Sequence, residues 1–161
     1  MFVWPVRVYY EDTDSGGVVY HANYLKFMER ARTEWLRSLG FEQDALIRHE
    51  GVIFAVHHMT LAFLRPARFN DLLEVSVVLA ERGAASLVFR QAVLPGGAGG
   101  DAGRGSGKMQ EEKPEKKSEM KRKVPRAAFC EARVRIACLD AMTLRPRRIP
   151  QPLLREIASE C

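Results

Sequence analysis

The chain has 161 residues, 47% of them apolar and 28% charged, with a formal net charge of +5. That is enough for one domain with its own core, and no apolar run approaches the roughly 20 residues that a membrane-spanning helix needs. Residues 95–126 carry nine Lys/Arg against five acids, so most of the positive excess sits in one segment, and a nucleic-acid partner is not expected.

The elements follow in chain order. Met1-Phe2-Val3-Trp4 reads as the start of the domain and not as a secretory signal. Pro5 to Tyr10 reads as a first strand, with Val6, Val8 and Tyr10 on one face. Glu11 to Tyr20 is a glycine-containing loop. From Asn23 to Leu39 the spacing of Tyr24, Phe27, Met28, Ala31, Trp35 and Leu39 predicts an amphipathic helix, with Asn23 as its cap and Gly40 just past its end. A short helical piece is expected around Asp44 to His49. Three β-rich runs follow, Val52–Leu64, Leu72–Arg82 and Ala85–Leu94, the last two joined by a tight turn at Gly83-Ala84. Ala127–Asp140 is a further long strand. Pro146, Pro150 and Pro152 precede a terminal helix around Leu153–Ser159. One long helix with an antiparallel sheet of about five strands gives an α+β fold in a single domain, residues 1–161.

Residues 95–126 do not fit this pattern. They open on Gly96-Gly97-Ala98-Gly99-Gly100 and continue into a Lys/Glu-rich stretch. With almost no apolar content the segment is read as a disordered insertion between adjacent strands. Its Gly103-Arg104-Gly105-Ser106-Gly107-Lys108 only looks like a phosphate loop: Ala102 and Met109 stand where that motif needs Gly and Ser or Thr. Cys130 and Cys138 fall in one strand, too far apart for a disulfide. With Cys161 they read as reduced thiols, and the expected compartment is the cytoplasm.

The loop holds the dense cluster of candidate catalytic groups, Asp12 and Asp14 among them, and His21 stands just past its end. A hydrolytic site needs a group to attack or to deliver water, and donors for the negative charge that develops on an oxygen. Asp14 lies shortly before a helix N-terminus, where free amides and the helix dipole favour negative charge. Gly16 and Gly17 let backbone approach a ligand closely. On local grounds alone, acids beside glycines form a solvated turn or a cap more often than a catalytic site.

The run Arg7-Val8-Tyr9-Tyr10-Glu11-Asp12-Thr13-Asp14-Ser15-Gly16-Gly17-Val18-Val19-Tyr20-His21-Ala22-Asn23-Tyr24 resembles the active-site signature of the 4-hydroxybenzoyl-CoA thioesterase family. Its continuation, Leu25 to Leu36, resembles the bacterial branch associated with the Tol–Pal envelope system. The resemblance implies a hotdog fold, a long helix wrapped by an antiparallel sheet, working as a homodimer or homotetramer. It implies hydrolysis of acyl-CoA, with acyl carrier protein thioesters as further candidates. Coenzyme A would then be part of the substrate, and no other cofactor is expected. It places the catalytic carboxylate at Asp14, nucleophile or general base, with His21 beside it and the amide of His21 facing the thioester carbonyl at a subunit interface. Gly16, Gly17, Val18, Tyr20 and Tyr24 would line the substrate site.

Asp12 reads as shaping the loop, and Glu29 and Glu34 as solvated or paired helix residues. Arg65, Arg82 and Ser86 are the candidates for contacts to coenzyme A. His57 and His58 are adjacent in a strand and so point to opposite faces, and no ligand spacing supports a metal. A hotdog hydratase is disfavoured, because six residues separate Asp14 from His21 where that class resembles Asp-x4-His. A non-catalytic acyl-binding or scaffold protein is the competing reading.

Overall fold

The computed structural model describes residues 1–97 and 127–159. Five strands form one antiparallel sheet in the order β1-β3-β4-β5-β2. They are β1 (Phe2–Arg7), β2 (Val52–Phe63), β3 (Leu72–Arg82), β4 (Ser86–Pro95) and β5 (Cys130–Asp140). The long helix α1 (His21–Ser38) packs on one face, and the short α2 (Gln43–Ala45) and the terminal α3 (Gln151–Ser159) complete the layer. The long helix against an antiparallel sheet is the arrangement that the hotdog resemblance implies.

The helical spacing in the sequence becomes the buried stripe of α1. Tyr24, Phe27, Met28, Ala31, Trp35 and Leu36 are buried against Leu73, Val75, Phe89, Val93 and Val134 of the sheet. Full burial of a side chain such as Phe27 or Met28 contributes about 1.5–3 kcal/mol each. Trp35 and Phe89 meet edge to face at 5.0 Å. The helix stops where its apolar stripe stops. Gly40 takes φ +85, the left-handed conformation that ends a helix at low cost in glycine.

Several boundaries differ from the sequence reading. β1 begins at Phe2 and ends at Arg7; Pro5 is tolerated because β1 is an edge strand paired only with β3. Tyr10 does not share a buried face with Val6 and Val8: it is 82% exposed. The chain has turned before it, in a 3-10 turn over Tyr10–Asp12, because the Asp12 carboxylate captures the Tyr9 amide at 2.8 Å. α1 begins at His21, so Asn23 lies inside its first turn and does not cap it.

The second helical piece is one short turn at Gln43–Ala45 running into a π turn at Leu46–Glu50. β4 and β5 are adjacent, as expected of the strands flanking the insertion. However, β4 runs through Pro95, and Gly96 donates its amide to the Leu72 carbonyl at 2.8 Å. The ordered chain therefore extends past the expected boundary at 95. The disorder assigned to the insertion, and the false phosphate loop within it, fall on residues 98–126, which lie outside the described residues, as does Cys161.

Candidate active site

The Asp14 loop is built around a buried acid, and that acid is Asp12. Its side chain, 6% exposed, accepts the Tyr9 amide through Oδ2 and the side-chain amide of Asn23 through Oδ1 at 3.1 Å. Its carbonyl accepts the Tyr20 amide at 2.8 Å. One residue thus ties the end of the 3-10 turn to the start of α1. The loop is further pinned by Val18 pairing with Arg68 and by the Val19 amide on the Ala67 carbonyl at 2.9 Å.

With that frame fixed, Asp14 heads a four-residue turn. The Gly17 amide donates to the Asp14 carbonyl at 3.0 Å, and the Asp14 amide donates to Val18 at 2.9 Å. Gly17 takes φ +72, which is why the turn needs glycine there. The carboxylate accepts the Gly16 amide through Oδ1 at 2.8 Å. Its Oδ2 has no protein partner among the described residues, and the side chain is exposed. It faces an open cleft of about 450 Å³ lined by Tyr10, Thr13, Ser15, Gly17 and Phe69.

The helix that follows offers donors. Tyr20 occupies the cap position without a side-chain cap bond. The Asn23 amide is taken by the Tyr20 carbonyl. The amides of His21 and Ala22 have no acceptor among the described residues, so two N–H groups at the positive end of α1 stand free beside the loop. The His21 imidazole is exposed, tilted against the Tyr20 ring at 4.4 Å and edge-on to Phe63 at 6.3 Å. Gly16, Gly17 and Val18 are bonded to Asp14 within this turn, and Tyr20 and His21 follow it at the start of α1.

The other predicted contacts are placed differently. Tyr24 is buried, not open to a cleft: its hydroxyl accepts the Ala67 amide at 3.0 Å, and burial pushes its pKa up. It supports the site from beneath. Arg65 is exposed, its guanidinium 4.0 Å above the Phe129 ring and hydrogen-bonded to the Ala127 carbonyl. Arg82 and Ser86 sit at the far ends of β3 and β4 from the loop, roughly 30 Å away along the strands of one chain. Ser86 there aligns with Ala137, and Ala137 with Ala55 of β2.

Glu29 and Glu34 are engaged within the helix, by Thr33 and by Arg37. Sequence reading missed Phe69 and Tyr10 as cleft walls; their rings meet edge to face at 6.3 Å, a contact between segments that no local pattern announces. It also missed a second, mainly apolar cavity of about 110 Å³, under the C-terminal half of α1 and bounded by Trp35, Leu36, Phe54, Val56, Phe89 and Ile136. Arg32 stands at its wall, bonded to Gln91, which in turn bonds the Met28 carbonyl; burial lowers the Arg32 pKa.

One long helix packed on a five-stranded antiparallel sheet defines the hotdog class of fold. Residues 16–98 match the family model of the thioesterase superfamily. The acyl-CoA thioester hydrolase YbgC of Escherichia coli O157:H7 is 38% identical over 156 residues, 97% of this chain and 95% of the relative. The acyl-CoA thioesterase YbgC of Haemophilus influenzae is 47% identical over 93 residues, 58% of this chain and 68% of the relative. Among solved structures, a probable thioesterase from Bartonella henselae superposes with a TM-score of 0.71 at 32% identity, covering 92% of this chain and 98% of that one. The chain belongs to the thioesterase superfamily, and it is a thioester hydrolase with the hotdog fold. No helix is long and apolar enough to cross a membrane, and no cluster of metal-binding side chains occurs, among the described residues.

Proposed function

We propose that the chain hydrolyses acyl-CoA to the free acid and coenzyme A, with Asp14 as the reacting carboxylate. The observation that carries this reading is the pairing, on one rigid loop, of a carboxylate with one uncommitted oxygen and two uncapped helix amides. The His21 amide receives the carbonyl oxygen as it becomes negative, where a preorganised donor and the helix dipole are most effective. The names of the YbgC relatives supply the substrate class.

Asp14 acts in one of two ways. As a nucleophile it attacks the thioester carbon, expels the coenzyme A thiolate and leaves a mixed anhydride that water cleaves. As a base it takes a proton from the water that attacks. His21 orients the substrate or returns a proton to the leaving thiolate. Acyl carrier protein thioesters are a further candidate substrate; the chemistry needs no cofactor beyond the coenzyme A of the substrate. Cytoplasmic location and a link to the Tol–Pal envelope system belong to the same proposal, supported by the free thiols of Cys130 and Cys138 and by the resemblance over residues 7–36.

The working unit is a homo-oligomer whose dimer forms through β2. This strand has a partner, β5, on one side only. An antiparallel pairing of two β2 edges sets the Val52–Val56 end of one copy against the Phe63 end of the other. That carries Phe54 and Val56 of the apolar cavity, together with Ser86 and Arg82, toward the second copy's Asp14 loop. It gives those two residues a route to the coenzyme A of a neighbouring site.

A panel of acyl-CoA chain lengths assayed for free-thiol release tests the reading. Turnover of at least one class is expected, with a preference set by the apolar cavity. Binding of acyl-CoA without thiol release on any member would favour the non-catalytic reading.

A further inference from the structure

His57 and His58, in the middle of β2, serve neither the core nor the site described above. Both are exposed, and neither side chain makes a hydrogen bond or an ion pair among the described residues. In a regular strand they would point to opposite faces, but the strand is not regular there. The register of β2 on β5 runs from Val56↔Ile136 to His58↔Arg135. His57 is thus the extra residue of a bulge, at which two residues oppose one.

β2 is an edge strand of 12 residues. Val56, Phe63 and Leu64, on it and just beyond it, are 52%, 53% and 56% exposed. A long edge with apolar residues is a template for another strand, and a second copy related by a two-fold axis satisfies it. The axis that pairs the whole of Val52–Phe63 with itself passes between residues 57 and 58, the midpoint of the strand. His57 of each copy then lies opposite His58 of the other. Opposed residues of an antiparallel pair share a face with Cβ atoms about 4.5–5.5 Å apart. Two imidazoles at that spacing can both reach one ion at a Zn–N distance of about 2.0–2.1 Å.

We propose that His57 and His58, with the same residues of a second copy, form a transition-metal site of imidazole ligands on the dimer axis. It rests on the β2-edge dimer proposed above and is separate from the Asp14 site. Donors that are all imidazole suit zinc, nickel or copper and do not suit magnesium or calcium, which take oxygen ligands. Of the charged groups near the pair, Arg135 lies opposite His58 on β5, and Glu81 of β3 reaches Arg135 from further across the sheet. Glu81 lies 3.7 Å from Arg135 and also pairs with Arg133, so the arginine charge nearest the ion is countered. A metal held only by the paired form tightens the dimer by mass action.

The test uses the full chain, stripped of metal, titrated with zinc and separately with magnesium by calorimetry, with oligomeric mass measured by sedimentation. A dimer that binds zinc and not magnesium is expected. His57→Gln and His58→Gln should each weaken zinc binding by about tenfold or more, and zinc should lower the dimer dissociation constant of the wild type but not of the double variant. A dimer that binds no zinc, or whose zinc affinity neither substitution changes, overturns the site and leaves the dimer standing. A chain that stays monomeric with and without zinc overturns the dimer and the site together.

Discussion

The carboxylate of Asp12 accepts the side-chain amide of Asn23 at 3.1 Å, in the interior, across the junction between the loop and α1. Two acids one residue apart are thereby divided in role. Asp12 is buried and committed to the scaffold, whereas Asp14 is exposed with one oxygen free. Removing a partner from a buried, charge-assisted hydrogen bond costs about 1.5–3 kcal/mol. Asp12→Ala and Asn23→Leu should each lower the urea midpoint accordingly. The two losses should not add, because each breaks the same contact. A midpoint unchanged in both variants would show that the junction is held by other contacts.

Tyr24 makes a similar argument about a residue that sequence reading placed in the substrate site. Tyr24→Phe keeps the ring, which packs 5.7 Å from Phe63, but strands the buried Ala67 amide. A stability loss of about 1–3 kcal/mol is expected, with KM for acyl-CoA little changed. A large rise in KM with stability intact would restore Tyr24 to the binding surface.

The buried thiols set the behaviour at alkaline pH. Burial, with a smaller contribution from Glu131, pushes Cys130 up to about 11 from an ordinary 9.0. Burial also raises Cys138, against the opposing charge of Arg147, and it raises Tyr24. Above pH 9 the unfolded chain releases the Cys130 proton while the folded chain keeps it, so the folded state binds more protons and loses stability as pH rises. The Cys130 contribution is fully present below pH 9 and is lost by pH 11, on the order of 2–3 kcal/mol. Urea unfolding at pH 8, 9.5 and 11 should show this fall, and Cys130→Ala should flatten it. A fall of the same size in the variant would assign it to other groups.

Gly16 tests how tightly the carboxylate is held. A Cβ at Gly16 would lie 3.1 Å from Oδ1 of Asp14, so the side chain must shift by a few tenths of an ångström. Gly16→Ala should therefore cost little in stability, within about 0.5 kcal/mol, but several-fold in kcat. Misplacing a reacting group by about 1 Å costs on the order of a hundredfold. Wild-type kcat in this variant would mean that the position of Asp14 set by Gly16 is not the reacting one.

The sequence disclosed much of this fold because its signals are local. The helical spacing from Tyr24 to Trp35 and the strand from Leu72 to Arg82 needed no tertiary information. Gly40 also stands just past α1, as its conformation requires. What stayed hidden depends on contacts between distant segments. Asn23 has the side chain of a cap, but its amide is drawn to Asp12, and the helix starts two residues earlier. Tyr10 continues the β-pattern on paper, yet the Asp12–Tyr9 bond turns the chain first. The bulge at His57 has no marker of its own, and the register shift between Val56 and His58 comes only from the pairing of β2 with β5. At the candidate site, the sequence pointed to Asp14 and His21 through an ordered motif. The Phe69 wall and the apolar cavity were not legible, because the residues that build each come from segments far apart in sequence.

The central claim concerns Asp14, and the direct measurement is thioester hydrolysis by Asp14→Asn. The amide keeps the Gly16 bond to a side-chain oxygen and so the shape of the turn, but it removes the charge. The account predicts a folded protein of wild-type oligomeric mass that binds an unreactive acyl-CoA analogue and loses hydrolysis by about a hundredfold or more, in line with removal of a nucleophile or base. Free-thiol release at near wild-type rate from that variant would contradict it.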